Sequence, residues 1–150
     1  MSTLTHPRST ETPPVVHTAA TLWFWAVAFG AFETALVIFT SGSAFLDLLP
    51  GVAFRLAVFA GAIFLALRLK RGANWARWTL AGTLGVFGTL SLVLDPVLWL
   101  LDGGSIAEAV AGADTMGLVF AASRILHVLA VLGAVVLMFQ PRANAYFRSV

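Results

Sequence analysis

The sequence predicts an all-α fold, an integral membrane protein built as an antiparallel four-helix bundle. Hydrophobic residues make up 59% of the chain and charged residues 11%, whereas a soluble domain carries about 25% charged residues. The mean hydropathy is +0.91. The apolar residues gather into four runs, each near the roughly 20 residues that a helix needs to cross a membrane. These runs lack the alternation of barrel strands, so helices are expected.

The four runs divide the chain into three parts. Residues 1–20 are polar and contain two adjacent prolines, and they are expected to form a disordered cytoplasmic tail. This segment is not expected to be a cleavable signal, since a run of spanning length and three further spans follow it. A transmembrane domain is expected at residues 21–140, and residues 141–150 form a second cytoplasmic tail. The expected spans are about 21–40, 50–69, 76–101 and 116–139.

Local sequence signals mark several helix ends. Asn74 is expected to cap the third helix, and Pro141 to stop the fourth. Ser105 and Glu108 have capping-box spacing, which predicts a short surface helix between the third and fourth spans. Pro96 lies one turn from the outer end of the third span and is expected to kink it or to end its regular part.

The charges outside the runs predict the orientation. By the positive-inside rule, both termini and the middle loop face the cytoplasm, and tryptophans near the span ends agree with this placement. Arginine far outnumbers lysine, as in proteins from GC-rich bacterial genes, so the expected location is a bacterial inner membrane. The basic residues near span ends are Arg68, Lys70, Arg71, Arg77, Arg142 and Arg148, and the acidic loop residues are Asp47, Asp102, Glu108 and Asp114.

The sequence lacks the residues that several classes of function need. The chain has no cysteine, which excludes a disulfide framework, a thiolate metal site and a cysteine nucleophile. No nucleotide-binding loop, Ser-His-Asp order or zinc motif is present, and no basic face with interleaved aromatics indicates nucleic acid. No catalytic residue, cofactor or metal ion is expected. The expected partners are the lipid bilayer and either other membrane proteins or a second copy of the chain.

Polar residues inside the apolar runs form the candidate site. Each span contributes one charged residue, and the last also contributes a histidine: Glu33, Arg55, Asp95, Arg124 and His127. From the helical rise, Glu33 and Arg124 lie roughly 10 Å from the outer ends of their helices, and the other two charges about 7 Å. Because a charge at helix centre costs about 2.5–3.5 kcal/mol, such residues face the bundle interior and find partners. We expect the four charges to pair, and Glu33 to pair with Arg124 because the first and last helices are neighbours.

Three interpretations of this cluster stay open. Ion pairs fix the register of the helices, or the cluster lines a polar pocket or proton-linked path, or most of the charges reach the headgroups. His127 is the only histidine of the spans, so a bis-histidine haem site would need a dimer or a different second ligand. A hydrogen bond from His127 to a neighbouring helix is expected instead. A metal ion would need Glu33 or Asp95 close to His127.

Small residues recur at helical spacing on the second and third spans. Such rows allow close helix approach, and whether they pack inside the monomer or against a partner stays open. The rows are Ala53, Ala57 and Gly61, and Gly82, Gly85 and Gly88.

Two short segments carry a resemblance to a known group of proteins. The turn RGANWAR, residues 71–77, and the ending PRANAYFR, residues 141–148, resemble segments of small uncharacterised four-span inner-membrane proteins of actinobacteria and related bacteria. The resemblance implies a basic turn between the middle helices and a last helix that closes with an aromatic pair and arginine. It implies no activity.

The expected function is non-catalytic: an accessory or stabilising subunit of an inner-membrane complex. One alternative is a small transporter or proton-coupled carrier that uses Glu33, Asp95, Arg124 and His127. Four spans make a small pathway, however, and no inverted repeat with broken helices is evident beyond Pro96. A second alternative is a membrane enzyme or an electron carrier.

Overall fold

The computed structural model describes residues 11–150, apart from the side chain of Phe45. This part of the chain is all-helical, with six helices joined by short turns. Four of the helices are long and apolar enough to cross a membrane. In chain order the helices are α1 (Pro14–Thr40), α2 (Phe45–Lys70), α3 (Asn74–Leu101), α4 (Ile106–Gly112), α5 (Thr115–Met138) and α6 (Pro141–Ser149).

Helix α1 begins before the position that the sequence predicts. Pro14 occupies the start of the helix, where the fixed φ of proline and its missing N–H are tolerated. Val16, Ala19 and Ala20 are fully buried, and this apolar burial stabilises the helix. The polar composition of the segment as a whole did not predict it. The disordered tail is therefore wrong for residues 14–20, and its residues 1–10 lie outside the described part of the chain.

Helices α2 and α3 are joined by a tight turn at Gly72. Gly72 has a φ of 82°, and the N–H groups of Gly72 and Ala73 donate to the carbonyls of Leu69 and Arg68 at 3.0 and 3.1 Å. This Schellman turn satisfies the last carbonyls of α2. Asn74 is consequently the first residue of α3, and the predicted cap at Asn74 is wrong because Ala73 precedes the helix without a side-chain hydrogen bond.

The other predicted helix signals fall near their expected places. The Ser105 hydroxyl accepts from the Glu108 N–H at 3.3 Å and starts the short α4, as predicted. Pro141 is the first residue of α6, and α5 has ended before it. Two prolines lie in the interior of described helices. Helix α2 begins at Phe45, so Pro50 lies within it, and α3 continues past Pro96 to Leu101.

The long helices pack tightly at one end and loosely at the other. We call the end with the α2–α3 turn the basic end and the end with residues 102–114 the acidic end. Residue Thr12 hydrogen-bonds to the Lys70 carbonyl at 2.9 Å, so the start of α1 also lies at the basic end. The buried apolar core lies in the basic half, and it includes Trp23, Leu69, Leu80, Ala134, Met138 and Phe147.

The small-residue rows behave differently in α2 and α3. In α3 the segment Ala81–Gly88 forms wide π-helical turns, and a Cβ at Gly85 would lie 2.9 Å from Val135. Gly85 therefore lets α3 approach α5. In α2 the predicted row is exposed, and a Cβ at Gly61 would meet nothing within 4 Å. The row of α2 is thus not used for packing among the described residues.

Candidate functional site

Glu33 is the centre of a buried polar cluster between α1 and α5. The residue is 1% exposed. Arg124 donates from Nε to Oε2 of Glu33 at 3.0 Å, and Nδ1 of His127 lies 3.2 Å from Oε1. Both carboxylate oxygens therefore have a partner, and the buried charge is compensated. The structure forms the predicted pair, and His127 bonds to a neighbouring helix as expected.

The geometry of α5 explains why two of its side chains reach one carboxylate. Arg124 and His127 are three residues apart, a spacing that places them on the same face of a helix. On α1, Gly30 lies one turn before Glu33, and a Cβ at Gly30 would come within 2.8 Å of Phe59 and 3.2 Å of His127. The missing side chain of Gly30 thus makes room for the imidazole beside the carboxylate. Gly30 was not among the predicted site residues, although it shares the helix face of Glu33.

Arg124 has a second partner on α3. Its Nη1 donates to the Leu92 carbonyl at 3.2 Å. In a regular helix this carbonyl would accept from the N–H of the residue four positions later. That residue is Pro96, which has no N–H to donate. The proline therefore frees the carbonyl that Arg124 uses, and it joins α3 to α5 at the level of the cluster.

Arg55 and Asp95 do not join the ion pair, so the predicted pairing of all four charges is wrong. Arg55 donates from Nη1 to the Thr34 hydroxyl at 3.3 Å, and that hydroxyl donates to the Gly30 carbonyl at 2.8 Å. Asp95 is exposed, and within residues 11–150 it forms no ion pair. Depth along a helix, which both charges share with the cluster, does not determine the direction in which a side chain points.

A cavity of about 440 Å³ lies beside the cluster. All four long helices contribute to its wall, which extends from the middle of the helices toward the acidic end. Most lining side chains are apolar, as in Phe54 and Phe59, and the polar ones are Glu33, Arg55, Ser91, Arg124 and His127. The cluster therefore faces open space on one side, and the cavity brings Arg55 back to the site.

Trp23 closes the cavity toward the basic end. It lines the cavity, is 1% exposed, and donates from Nε1 to the Met138 sulfur at 3.4 Å. Below it lies the buried apolar core of the basic half. Trp23 therefore closes the cavity toward the basic end, whereas the lining residues Phe54, Arg55 and Ser91 are exposed.

The charges on the cavity wall do not balance. One carboxylate faces two guanidiniums, so the wall carries a net positive charge even when His127 is neutral. Arg55 is exposed, and within residues 11–150 it hydrogen-bonds to a neutral hydroxyl and forms no ion pair. Within residues 11–150 no group of three side chains suited to holding a metal ion comes together.

A second buried charge lies at the basic end, where the sequence predicted only that basic residues set the orientation. Arg77 is 7% exposed. Its Nη1 donates to Oδ1 of Asn144 at 2.7 Å and to the Met138 carbonyl at 3.3 Å. The guanidinium lies 4.9 and 4.7 Å from the ring centres of Phe139 and Phe147, within the range of cation–π attraction. We call Arg77, Phe139, Asn144 and Phe147 the Arg77 latch.

The Arg77 latch joins the two segments that carry the sequence resemblance. Arg77 ends the turn RGANWAR, whereas Asn144 and Phe147 belong to PRANAYFR. One sequence signal could have indicated this contact. An arginine just inside a span occurs together with an asparagine and aromatic residues near the C-terminus. Comparison of the chain with protein-family models, curated proteins and solved structures finds no match.

Proposed function

We propose that the protein is a multi-pass protein of the bacterial inner membrane that binds a small molecule in its cavity without catalysing a reaction. Four helices of spanning length support the location. The proposed arrangement is an antiparallel four-helix bundle with the basic end and both termini in the cytoplasm, which the positive-inside rule supports. The cavity then lies in the outer half of the membrane.

One observation carries the proposal, the cavity beside the compensated Glu33. Ligand sites are typically cavities of roughly 300–1,000 Å³, mostly apolar, with a few placed polar groups. The cavity of about 440 Å³ has this size and this composition. Protein interiors are otherwise close-packed, so an ion pair that only fixed helix register would be expected to have packed neighbours on all sides. The open side of the cluster favours binding.

The closed end of the cavity at Trp23 favours binding over passage through the membrane. A transport path needs an opening on each side in turn, and the basic half is filled by Trp23 and the apolar core. In this conformation a ligand would enter and leave away from Trp23, past the exposed lining residues Phe54, Arg55 and Ser91. The accessory-subunit function stays a prediction, compatible with the exposed small-residue row of α2, where a partner helix would be able to approach closely.

Binding can be measured by quenching of Trp23 fluorescence. The other four tryptophans are changed to Phe, and the full-length protein in detergent is titrated with 10-bromodecanol or with 10-bromodecanesulfonate. Trp23 lines the cavity and is 1% exposed, so a bromine atom held in the cavity lies close to its ring. We expect saturable quenching by at least one of the two probes.

A pair of glycine variants provides the control. Gly88 lines the cavity, whereas Gly82 is exposed on the same helix and has nothing within 4 Å of a Cβ. Gly88→Phe is therefore expected to abolish the saturable quenching and Gly82→Phe to preserve it. Equal quenching curves for the two variants would refute binding in the cavity.

The orientation predicts which engineered cysteines react in intact cells. The native chain has no cysteine, so single substitutions report cleanly. A cysteine at the exposed Gly112 is expected to react with an impermeant maleimide, and one at the exposed Arg71 only after the membrane is opened. Arg71 is preferable to Gly72, whose φ of 82° a side chain would strain. Labelling at Arg71 in intact cells would reverse the proposed orientation.

A further inference from the structure

We infer that the ligand is an amphipathic anion, whose charged oxygens bind Arg55 and whose apolar tail lies in the cavity. The inference rests on the proposed function and adds the chemical class of the ligand. It follows from three features of the cavity: its net charge, the unused donors of Arg55 and the apolar wall.

The net positive charge of the wall favours an anion. Glu33 is occupied at both oxygens by Arg124 and His127, so it offers no free acceptor to a cation. Among the described residues that line the cavity, Glu33 is the only acid.

Arg55 has donors to spare. A guanidinium carries five N–H donors in a planar fork that matches an oxyanion. Among the described residues Arg55 uses one of them, toward Thr34. The Thr34 hydroxyl donates its own proton to the Gly30 carbonyl, so it serves Arg55 only as a neutral acceptor. An oxyanion in the cavity would give Arg55 the charged partner that the chain does not supply.

The remaining wall fits a tail. Phe54, Phe59, Leu84 and Leu92 line the cavity, and removing an apolar chain from water is favourable at about 25 cal/mol per Å². A small inorganic anion would leave this surface unused. The chemistry of the wall therefore selects a molecule with both a charged head and an apolar body.

The two brominated probes test this inference. They share a chain length and differ in the head, and the sulfonate stays ionised at every pH used. We expect the sulfonate to bind about tenfold or more tightly than the alcohol, the effect of one or two charge-assisted hydrogen bonds. Arg55→Gln should remove this preference. Arg68→Gln, which neutralises an exposed arginine at the basic end of the same helix, should preserve it.

The outcomes separate the anionic class of the ligand from cavity binding itself. Equal affinities for the two probes, or a preference that survives Arg55→Gln, would overturn the anionic class while cavity binding stands. Failure of both probes to quench Trp23 would instead reject the proposed function, and the inference with it.

Discussion

Glu33→Gln and Arg124→Gln are each expected to destabilise the protein strongly, and their combination is expected to destabilise it less than either alone. A single change leaves the partner charge buried and unpaired, at a cost of about 3–5 kcal/mol. The Arg124 side chain is 25% exposed, so Glu33→Gln, which leaves a partly hydrated arginine, belongs at the lower end of this range. The melting temperature in detergent is the measurement.

Asp95→Asn is the matched control for this cycle. Asp95 is an exposed charge of a span and forms no ion pair within the described residues, so a change within about 0.5 kcal/mol is expected. Strict additivity of the two single changes would remove the pair from the account of stability. If the double variant regains stability but no longer binds the sulfonate probe, the cluster serves the cavity as well as the fold.

Arg77→Leu is expected to release the C-terminal helix α6 and to destabilise the protein by about 3 kcal/mol or more. The variant loses two hydrogen bonds from a buried guanidinium, and bonds to charged groups contribute about 1.5–3 kcal/mol each. It also loses the attraction to the rings of Phe139 and Phe147. Tryptic cleavage at Arg142, next to the start of α6, should accelerate together with the fall in melting temperature.

Two further variants separate the latch from simple charge. Arg71→Leu removes an exposed arginine from the neighbouring turn and should change neither readout. Arg77→Lys keeps the charge but not the planar fork, and we expect only partial recovery. Equal behaviour of Arg77→Leu and Arg71→Leu would show that Arg77 acts through topology alone.

Composition and depth predicted the features that depend on position along the helix axes. The four helices of spanning length follow from the apolar runs, and the Glu33–Arg124 pair follows from opposite charge at similar depth on helices expected to be neighbours. Both arguments need only the rise of a helix. The short helix at Ser105 was likewise predictable, because its cap is a local interaction.

Features that depend on rotation and tertiary contact were not predictable in the same way. Depth placed Asp95 with the cluster, but its direction on α3 takes it elsewhere. The basic turn explained the charge of Arg77 equally well whether the side chain was exposed or buried. The cavity arises because the helices separate toward the acidic end, and no single segment encodes that separation.

The polar cluster depends on Pro96, although proline has no polar side chain. The proline leaves the Leu92 carbonyl without a donor in its own helix, and Arg124 from α5 supplies one. Any other residue at position 96 would offer the carbonyl a partner within α3, in competition with Arg124. The contact between α3 and α5 at the level of the cluster would then be weaker. The hydrogen bond between α5 and α3 thus depends on the N–H that Pro96 lacks.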